Sequence, residues 1–452
     1  HSFIPQVLKA GVRVLVTERP VEEELKNSGL SEEELKQVTV VMVEEGRHAL
    51  ALLSAARFDH PAKKLVMIGV TGTKGKTTTT HMIRAILLAA GKKVGMIGTT
   101  GTVIGDVVTP TLNTTPESYE LHQAFAQMVE AGCEYAVMEV SSQGIKMHRT
   151  DGLYFNYAIF TNISPDHIGP GEHADFEEYL YYKTRLLNMC GIGLVNKDDK
   201  HAPQIIKAAN CELYTYSEES KEADFVASDI RYVSQPDFVG TEFHISGKYD
   251  MEVRLGIPGL FNVVNALAAV SVCSFLGLDQ ARISHALENI RVNGRMEIVY
   301  TSERCTVLVD YAHNAVSMES LLSTLRDYKP KRLVCVFGCG GNRSKDRRYS
   351  MGEIGGKMAD LSIITADNSR YEKVEDIIAD IRGSIEKTGG KFIEIPDRRE
   401  AIRYSILHAQ PGDMVAVIGK GHEDYQEING VRHHFLDREV IEETVKELGE
   451  KA

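Results

Sequence analysis

The stretch GVTGTKGKTTTT, residues 69–80, follows directly on the apolar run at 65–68. It reads as a strand, a glycine loop and the start of a helix. Gly72 and Gly75 let the backbone curl and approach an anion closely. The helix that follows offers free N–H groups, Lys76 adds positive charge, and Thr77 presents a hydroxyl to Mg²⁺. With Thr73, Lys74 and Thr78 these residues form a cradle for the triphosphate of ATP. The loop departs from the common G-x-x-x-x-G-K-[ST] form, because Val70 stands five residues before Gly75. A glycine turn that only caps a helix is the alternative, disfavoured by the strand before and the helix after. That helix is expected over residues 76–90 with Met82, Ile83, Ile86 and Leu87 on one face, which opens an α/β nucleotide-binding domain.

Outward from this loop, 452 residues leave room for about three domains. A composition of 43% hydrophobic and 25% charged residues is that of an ordinary globular chain. The formal charge of -12 comes without any dense basic run, so no nucleic acid and no anionic membrane surface is expected as a partner. Seven cysteines without a CxxC pair argue against a disulfide framework or a zinc site, and a reducing cytoplasm is the expected location. No run approaches the roughly 18 apolar residues that span a bilayer, so no membrane insertion is expected. The first residues carry no secretory pattern, and the absence of an initiator methionine suggests a trimmed start.

Residues 1–62 hold two strand candidates, 12–16 and 38–43, around an acidic stretch, and form a small α/β unit. Beyond the glycine loop, strands are expected at 94–97, 136–140 and 158–160. A boundary is placed near Asn293-Gly294-Arg295, which divides the chain into parts 1–62, 63–296 and 297–452. In the last part four apolar runs, 307–309, 333–337, 361–364 and 414–418, each end abruptly in a polar or glycine-containing loop, and amphipathic helices such as 373–385 alternate with them. The pattern predicts a Rossmann-like parallel sheet buried on both faces. Its loops emerge at one edge, the carboxyl edge where open α/β sheets bind ligands.

Single residues are less decisive. Glu139 ends a strand, where an unpaired buried carboxylate costs several kcal/mol; a metal would compensate it, and so would hydrogen bonds from Ser141 and Ser142. Asp166-His167 reads equally as a helix-capping pair. Lys183 lies in EEYLYYKTRLL, and nothing in the spacing separates it from a solvated helical lysine.

Taken together, GTKGKTTT (72–79), NTTPES (113–118), MEVSSQG (138–144), TNISPDH (161–167), NVVNALAA (262–269), NGRME (293–297), DYAHN (310–314) and GKGHEDYQ (419–426) resemble the Mur ligases. The likeness is strongest to the branch that adds the third amino acid of the peptidoglycan stem peptide. It runs in family order over nearly the whole chain, with only the first part of the uridine-binding N-terminal domain lacking. The resemblance implies a three-domain architecture, a monomer, and a C-terminal domain that swings to close around ligands. It implies ATP-dependent amide formation through an acyl phosphate on UDP-N-acetylmuramoyl-L-alanyl-D-glutamate.

By the same resemblance Lys76 and Thr77 serve the triphosphate and a first Mg²⁺, Glu139 is a Mg²⁺ ligand, His167 helps hold a second, and Lys183 occupies the position of a carbamylated lysine that binds Mg²⁺. Asn262, Arg295, Asp310 and His313 fall where the family contacts ATP. Asn113, Thr114, Thr115, Ser141, Met147 and Arg149 fall where it contacts the nucleotide-sugar peptide, Met147 standing where relatives often carry glutamine. Asn314-Ala315 replaces the usual threonine-proline.

Arg343, Asp367, Asn368, Ser369, Arg370, Gly419 and Glu423 match the residues that grip the incoming diamino acid. The sequence DNSR has Ser369 in place of proline and keeps Arg370. A cationic fork suits the distal carboxylate of meso-diaminopimelate and would repel the ammonium of lysine, so diaminopimelate is the expected substrate. Lysine is the alternative, because GTKGKTTT and NISPDHIGPGEH also resemble lysine-adding enzymes. For Arg370 an ordinary surface ion pair stays open. Outside the ligase reading stand a folylpolyglutamate or cyanophycin synthetase, a P-loop switch or kinase, and a silent scaffold.

Overall fold

The computed structural model describes residues 1–449. The chain divides into two compact units, one made of His1–Thr80 with Gly91–Thr215, the other of His81–Ala90 with everything from Tyr216 onward.

The first unit begins with two parallel strands, Val14–Thr17 and Thr39–Met42, over a small core of Ile4, Leu8, Leu15 and Val21. The acidic stretch between them folds into the short helices Glu22–Lys26 and Glu32–Leu35. Ser31 and Glu34 start the second with a capping box, each satisfying a backbone N–H of the other's residue. The helix Gly46–Arg57 follows.

The main sheet of this unit runs Cys190–Asn196, Phe155–Phe160, Val66–Thr71, Tyr135–Glu139 and Val94–Gly98, all parallel. Gly101–Ile104 and Val107–Thr109 extend it antiparallel. Val66–Thr71 is central, with Met67, Ile68 and Val70 fully buried. The strand after it in sequence lies beyond Tyr135–Glu139, while Phe155–Phe160 flanks its other side. The glycine loop therefore leaves the sheet where strand order reverses, the place where doubly wound sheets open a crevice for ligands. In the helix Lys76–Ala89, Met82, Ile83, Ile86 and Leu87 are all fully buried, as their spacing predicts.

The second unit contains an antiparallel meander, Phe225–Gln235, Phe238–Gly247 and Met251–Leu255, beside the helices Leu260–Phe275 and Gln280–Glu288. The sequence analysis places no strands there, although Pro236-Asp237 is a turn signal between alternating segments. Its other sheet has the order Glu297–Thr301, Cys305–Asp310, Asp413–Ile418, Arg332–Phe337, Leu361–Ile364 and Phe392–Glu394. The four apolar runs form its parallel centre, and the last of them in sequence inserts between the first two. Their loops share one edge, as expected.

Arg398 organises that edge from below. Fully buried with Asp437, it makes two bonds of 2.7 Å to the carboxylate. It also donates to the carbonyl oxygens of Ile418 (3.0 Å) and Ala366 (3.2 Å), each at or just past the carboxyl end of a strand. Such a pair is costly to break because either partner alone would be a buried, uncompensated charge.

Candidate active site

In the first unit the glycine loop is tied to the segment that follows Phe155–Phe160. The backbone N–H of Thr73 donates to the Asn162 carbonyl (2.8 Å), and that of Lys74 to the Asn162 side chain (2.9 Å). Thr161 donates its hydroxyl to the Lys74 carbonyl (2.7 Å). Gly72 has φ 143°, and a Cβ there would lie 1.9 Å from the Thr161 hydroxyl, so only glycine fits. Lys76 donates from Nζ to the carbonyls of Gly72 (2.9 Å) and Thr73 (3.1 Å).

Lys183 reaches the same place. It is 2% exposed and its Nζ donates to the Gly72 carbonyl at 2.7 Å. Burial, and then the nearby Lys76 ammonium, hold its amine well below the ordinary lysine range. The reading of Lys183 as a solvated helical lysine does not describe this side chain. Tyr179, one turn earlier, lies under the Lys183 ammonium, 4.7 Å from nitrogen to ring centre, and its hydroxyl meets that of Thr73 at 3.1 Å. Burial pushes the Tyr179 phenol up to about 12, so it stays a neutral donor.

Glu139, 1% exposed at the end of its strand, accepts from the Thr77 hydroxyl (3.0 Å), the Thr99 N–H (2.9 Å) and the Thr99 hydroxyl (3.3 Å). The alternative partners do other work: Ser141 accepts from the N–H of Gly144, and Ser142 meets His173 at 2.9 Å. Thr77 and Glu139 thus form one oxygen pair, while Lys183 bonds the loop at the Gly72 carbonyl. His167 is 58% exposed in a left-handed conformation; its ring meets Glu172 at 3.2 Å and lies 6.2 Å from Tyr179. The structure joins His167 to the loop through Tyr179, which packs near its ring and bonds Thr73.

Around Glu139 the NTTPES segment folds back. Thr114 bonds Thr99 (3.1 Å), and Thr115 donates to the Glu139 carbonyl (3.0 Å) while accepting from the Ser141 N–H (3.0 Å). Arg149 donates to the Thr115 carbonyl (3.0 Å) and pairs with Glu117 (2.7 Å), which also pairs with Arg47 (3.2 Å). Asn113 and Met147 are half-buried nearby in sequence, Met147 closing the helix Ser142–Lys146.

In the second unit Arg295, Asp310 and His313 gather. Arg295 lies over the Tyr311 ring at 5.0 Å, and His313 packs on the same ring at 4.7 Å while meeting the Tyr311 carbonyl at 2.9 Å. Asp310 accepts from the N–H groups of Met296 and Ala312, both at 2.8 Å; burial raises its pKa. Asn262 is buried in its helix with its amide donating to the Pro258 carbonyl (2.7 Å).

The shared sheet edge of this unit carries a cavity of about 420 Å³ lined by Arg343, Asp367, Asn368, Arg370, Gly419 and Glu423, with Arg347 and Tyr425. Asn368 donates to Glu423 (2.9 Å). Lys420, fully buried, donates to Asn368 (3.2 Å) and Glu423 (3.3 Å) and lies 3.8 Å from Asp367. One ammonium thus offsets part of two carboxylates. Arg370 is fixed through its Nη1, which donates to the Gly341 carbonyl (2.7 Å), and its Nε, 3.4 Å from Glu427. A Cβ on Gly341 would lie 1.9 Å from the Ser369 carbonyl, so the two loops touch only because residue 341 is glycine. Arg343 is exposed and has no carboxylate partner among the described residues.

Sequence reasoning passed over Tyr179, His173, Arg398 and Lys420. Lys420 stands inside GKGHEDYQ and could have been weighed there; for Arg398 no local signal exists.

These two sites belong to a recognisable group. Residues 70–273 match the Mur ligase middle domain and residues 294–421 the Mur ligase, glutamate ligase domain. The chain belongs to the Mur ligases, which are ATP-dependent peptide ligases. It is 39% identical over 451 residues to the UDP-N-acetylmuramoyl-L-alanyl-D-glutamate--2,6-diaminopimelate ligase of Caldanaerobacter subterraneus subsp. tengcongensis, covering 98% of this chain and 89% of that one. It is 38% identical to the ligase of the same name from Geobacillus thermodenitrificans, covering 99% and 90%. A solved structure of a ligase with this name superposes with TM-score 0.74 at 30% identity, covering 97% of this chain and 92% of that chain. Folylpolyglutamate synthase of Mycobacterium tuberculosis shares the fold, with TM-score 0.63 at 18% identity, covering 82% and 92%. No helix among the described residues is long and apolar enough to cross a membrane.

Proposed function

We propose that this chain joins the D-glutamyl carboxylate of UDP-N-acetylmuramoyl-L-alanyl-D-glutamate to the amine of meso-diaminopimelate in peptidoglycan synthesis, consuming ATP and working as a cytoplasmic monomer. The three-part division at 62 and 296 belongs to this proposal. The observation that carries the choice of amino acid is the cavity on the second unit's sheet edge. Its lining combines Arg343, Arg347 and Arg370 with Asp367, Asn368 and Glu423, which suits a molecule with both carboxylate and ammonium ends.

The residues of the first unit fit the phosphate chemistry. Gly72 and Gly75 both have positive φ and stand before the N-terminus of Lys76–Ala89, where backbone N–H groups favour an anion. Lys76 lies against the loop and is placed to neutralise phosphate charge. Thr77 and Glu139 supply hard oxygen donors suited to Mg²⁺, His167 would help hold a second ion, and a carbamylated Lys183 would add a further anionic donor. Mg²⁺ bound there would offset charge between carboxylate and phosphate. Arg295 and His313, packed on Tyr311, are proposed to contact the nucleotide together with Asp310 and Asn262. Thr114, Thr115, Ser141 and Arg149 are proposed to orient the peptide substrate, so that the carboxylate is fixed before attack.

The test is phosphate release from ATP with the UDP-linked dipeptide and meso-diaminopimelate, lysine or no amino acid. Release and a lengthened peptide are expected with diaminopimelate first. Equal release in all three arms would remove the ligase substrate assignment. A smaller effect is expected at Glu117, which holds Arg149 without a place among the proposed substrate contacts. Glu117→Gln should raise KM for the UDP-linked dipeptide about tenfold and leave KM for ATP unchanged, the loss of one charge-assisted bond. A parallel rise in both constants would count against a positioning role.

A further inference from the structure

Away from the catalytic residues, His48, His148 and Asp151 are the one group of metal-ligating side chains among the described residues whose donor atoms all lie within 4.8 Å of one another. His48 comes from the helix Gly46–Arg57, 103 positions from Asp151 in sequence. His148 and Asp151 come from the turn after Ser142–Lys146. That turn is shaped for the meeting: His148 has φ 57°, and the N–H of Arg149 folds back to the Gly144 carbonyl at 2.9 Å. Both imidazoles then aim Nδ1 at one oxygen, Asp151 Oδ2, His48 at 2.6 Å and His148 at 2.8 Å. The rings stand nearly perpendicular, 77° apart, with centres 6.3 Å from each other, so they are not stacked and both nitrogens face a common point.

We propose that these three side chains bind one divalent transition-metal ion of the zinc class. Two imidazole nitrogens and one carboxylate oxygen are the donor set of open tetrahedral zinc sites, the fourth position going to water. Neutral imidazole is the commonest metal ligand and binds through either nitrogen. Here Nδ1 would take the metal and the ring proton would sit on Nε2. Metal-to-donor distances of roughly 2.0–2.2 Å require donor atoms a little over 3 Å apart. The observed pairs must therefore open by about half an ångström, and His48 and His148, 50% and 38% exposed, have room to do so.

The surrounding charge permits it. The two nearest cations in sequence, Arg47 and Arg149, both pair with Glu117, so neither neutralises Asp151. An ion at this point would pin the helix Gly46–Arg57 to the turn that carries Arg149.

The experiment uses the full chain, stripped with chelator and titrated with Zn²⁺ by calorimetry in millimolar Mg²⁺, which occupies hard oxygen sites but competes poorly for imidazole. Co²⁺ serves as a spectroscopic probe in the same buffer. One saturable Zn²⁺ site per chain is expected, with intense visible Co²⁺ bands of a low-coordinate centre. His48→Ala, on an exposed helical position, should weaken the site at least about tenfold, as should Asp151→Asn, while the exposed bystander change His433→Ala should leave it intact. Absence of a saturable site in the wild-type chain would overturn the proposal. So would a site that His48→Ala and Asp151→Asn leave unchanged, or one that His433→Ala weakens equally.

Discussion

Replacing Lys183 by alanine is expected to lower ligation by about three orders of magnitude, roughly 4 kcal/mol of transition-state stabilisation, and formate or acetate in excess should restore part of it. The expectation starts from the position of the amine. It is buried, shares the Gly72 carbonyl with Lys76 and is held below the ordinary lysine range by burial and by that second ammonium. Because the shift is downward, the neutral amine is already populated at pH values where an exposed lysine is almost wholly protonated. A neutral amine attacks CO₂ and loses a proton, giving a carbamate anion; a protonated one does not. The modification would relieve two like charges at one carbonyl and put a carboxylate-like group beside the phosphate loop. Lys183 also bonds that loop directly, so a merely structural role would lower activity as well. Chemical rescue separates the two: a small carboxylate can replace a carbamate but cannot replace an ammonium on the Gly72 carbonyl. A variant that keeps its activity, or loses it with no rescue at any carboxylate concentration, would defeat the carbamate.

What could be read from the sequence followed the range of the interaction responsible. The glycine loop was legible because its constraints are local: strand, turn and helix start lie within a dozen residues, and Gly72 must be glycine for a backbone reason. The four parallel strands at 307–309, 333–337, 361–364 and 414–418 were legible because burial on both faces leaves unbroken apolar runs. Their spatial order was not, since insertion of Asp413–Ile418 between Cys305–Asp310 and Arg332–Phe337 is decided by packing across about a hundred residues. The antiparallel meander was missed because its alternation is interrupted where the register shifts between Ser228 and Arg231. Lys183 became a candidate only through family likeness. In the chain it is one more helical lysine, and its depressed basicity comes from burial and from the Lys76 ammonium, both supplied by a loop 111 positions away that only the fold brings to it. Glu139 illustrates the middle case. Its burial was expected, but its partners turned out to be Thr77 and Thr99 rather than its own neighbours, because the sheet brings those loops to one edge.

Arg370→Ala is expected to lower kcat/KM for meso-diaminopimelate about a hundredfold while changing that for lysine less than about threefold, a difference of at least about 2 kcal/mol. The size is that of a charge-assisted hydrogen bond lost from a confined site. The geometry argues for a held, partly available fork. Arg370 keeps a left-handed backbone at φ 51°, its N–H donates to the Glu427 carbonyl at 2.9 Å and its own carbonyl accepts from Asn429 at 2.7 Å. Nη1 is taken by the Gly341 carbonyl and Nε lies near Glu427, whereas Nη2 has no hydrogen-bond partner among the described residues. An arginine immobilised in this way costs little further entropy on meeting a carboxylate. Beneath the same lining Lys420 offsets only part of the charge of Asp367 and Glu423, so a carboxylate is drawn toward the arginines and an ammonium toward the acids. Lysine can satisfy the second attraction and not the first, which is why its rate should be nearly indifferent to residue 370. Steady-state kinetics with both amino acids at saturating ATP decide the matter. Equal losses for the two would mean that Arg370 shapes the loop through Gly341 and Glu427 without reading the distal carboxylate.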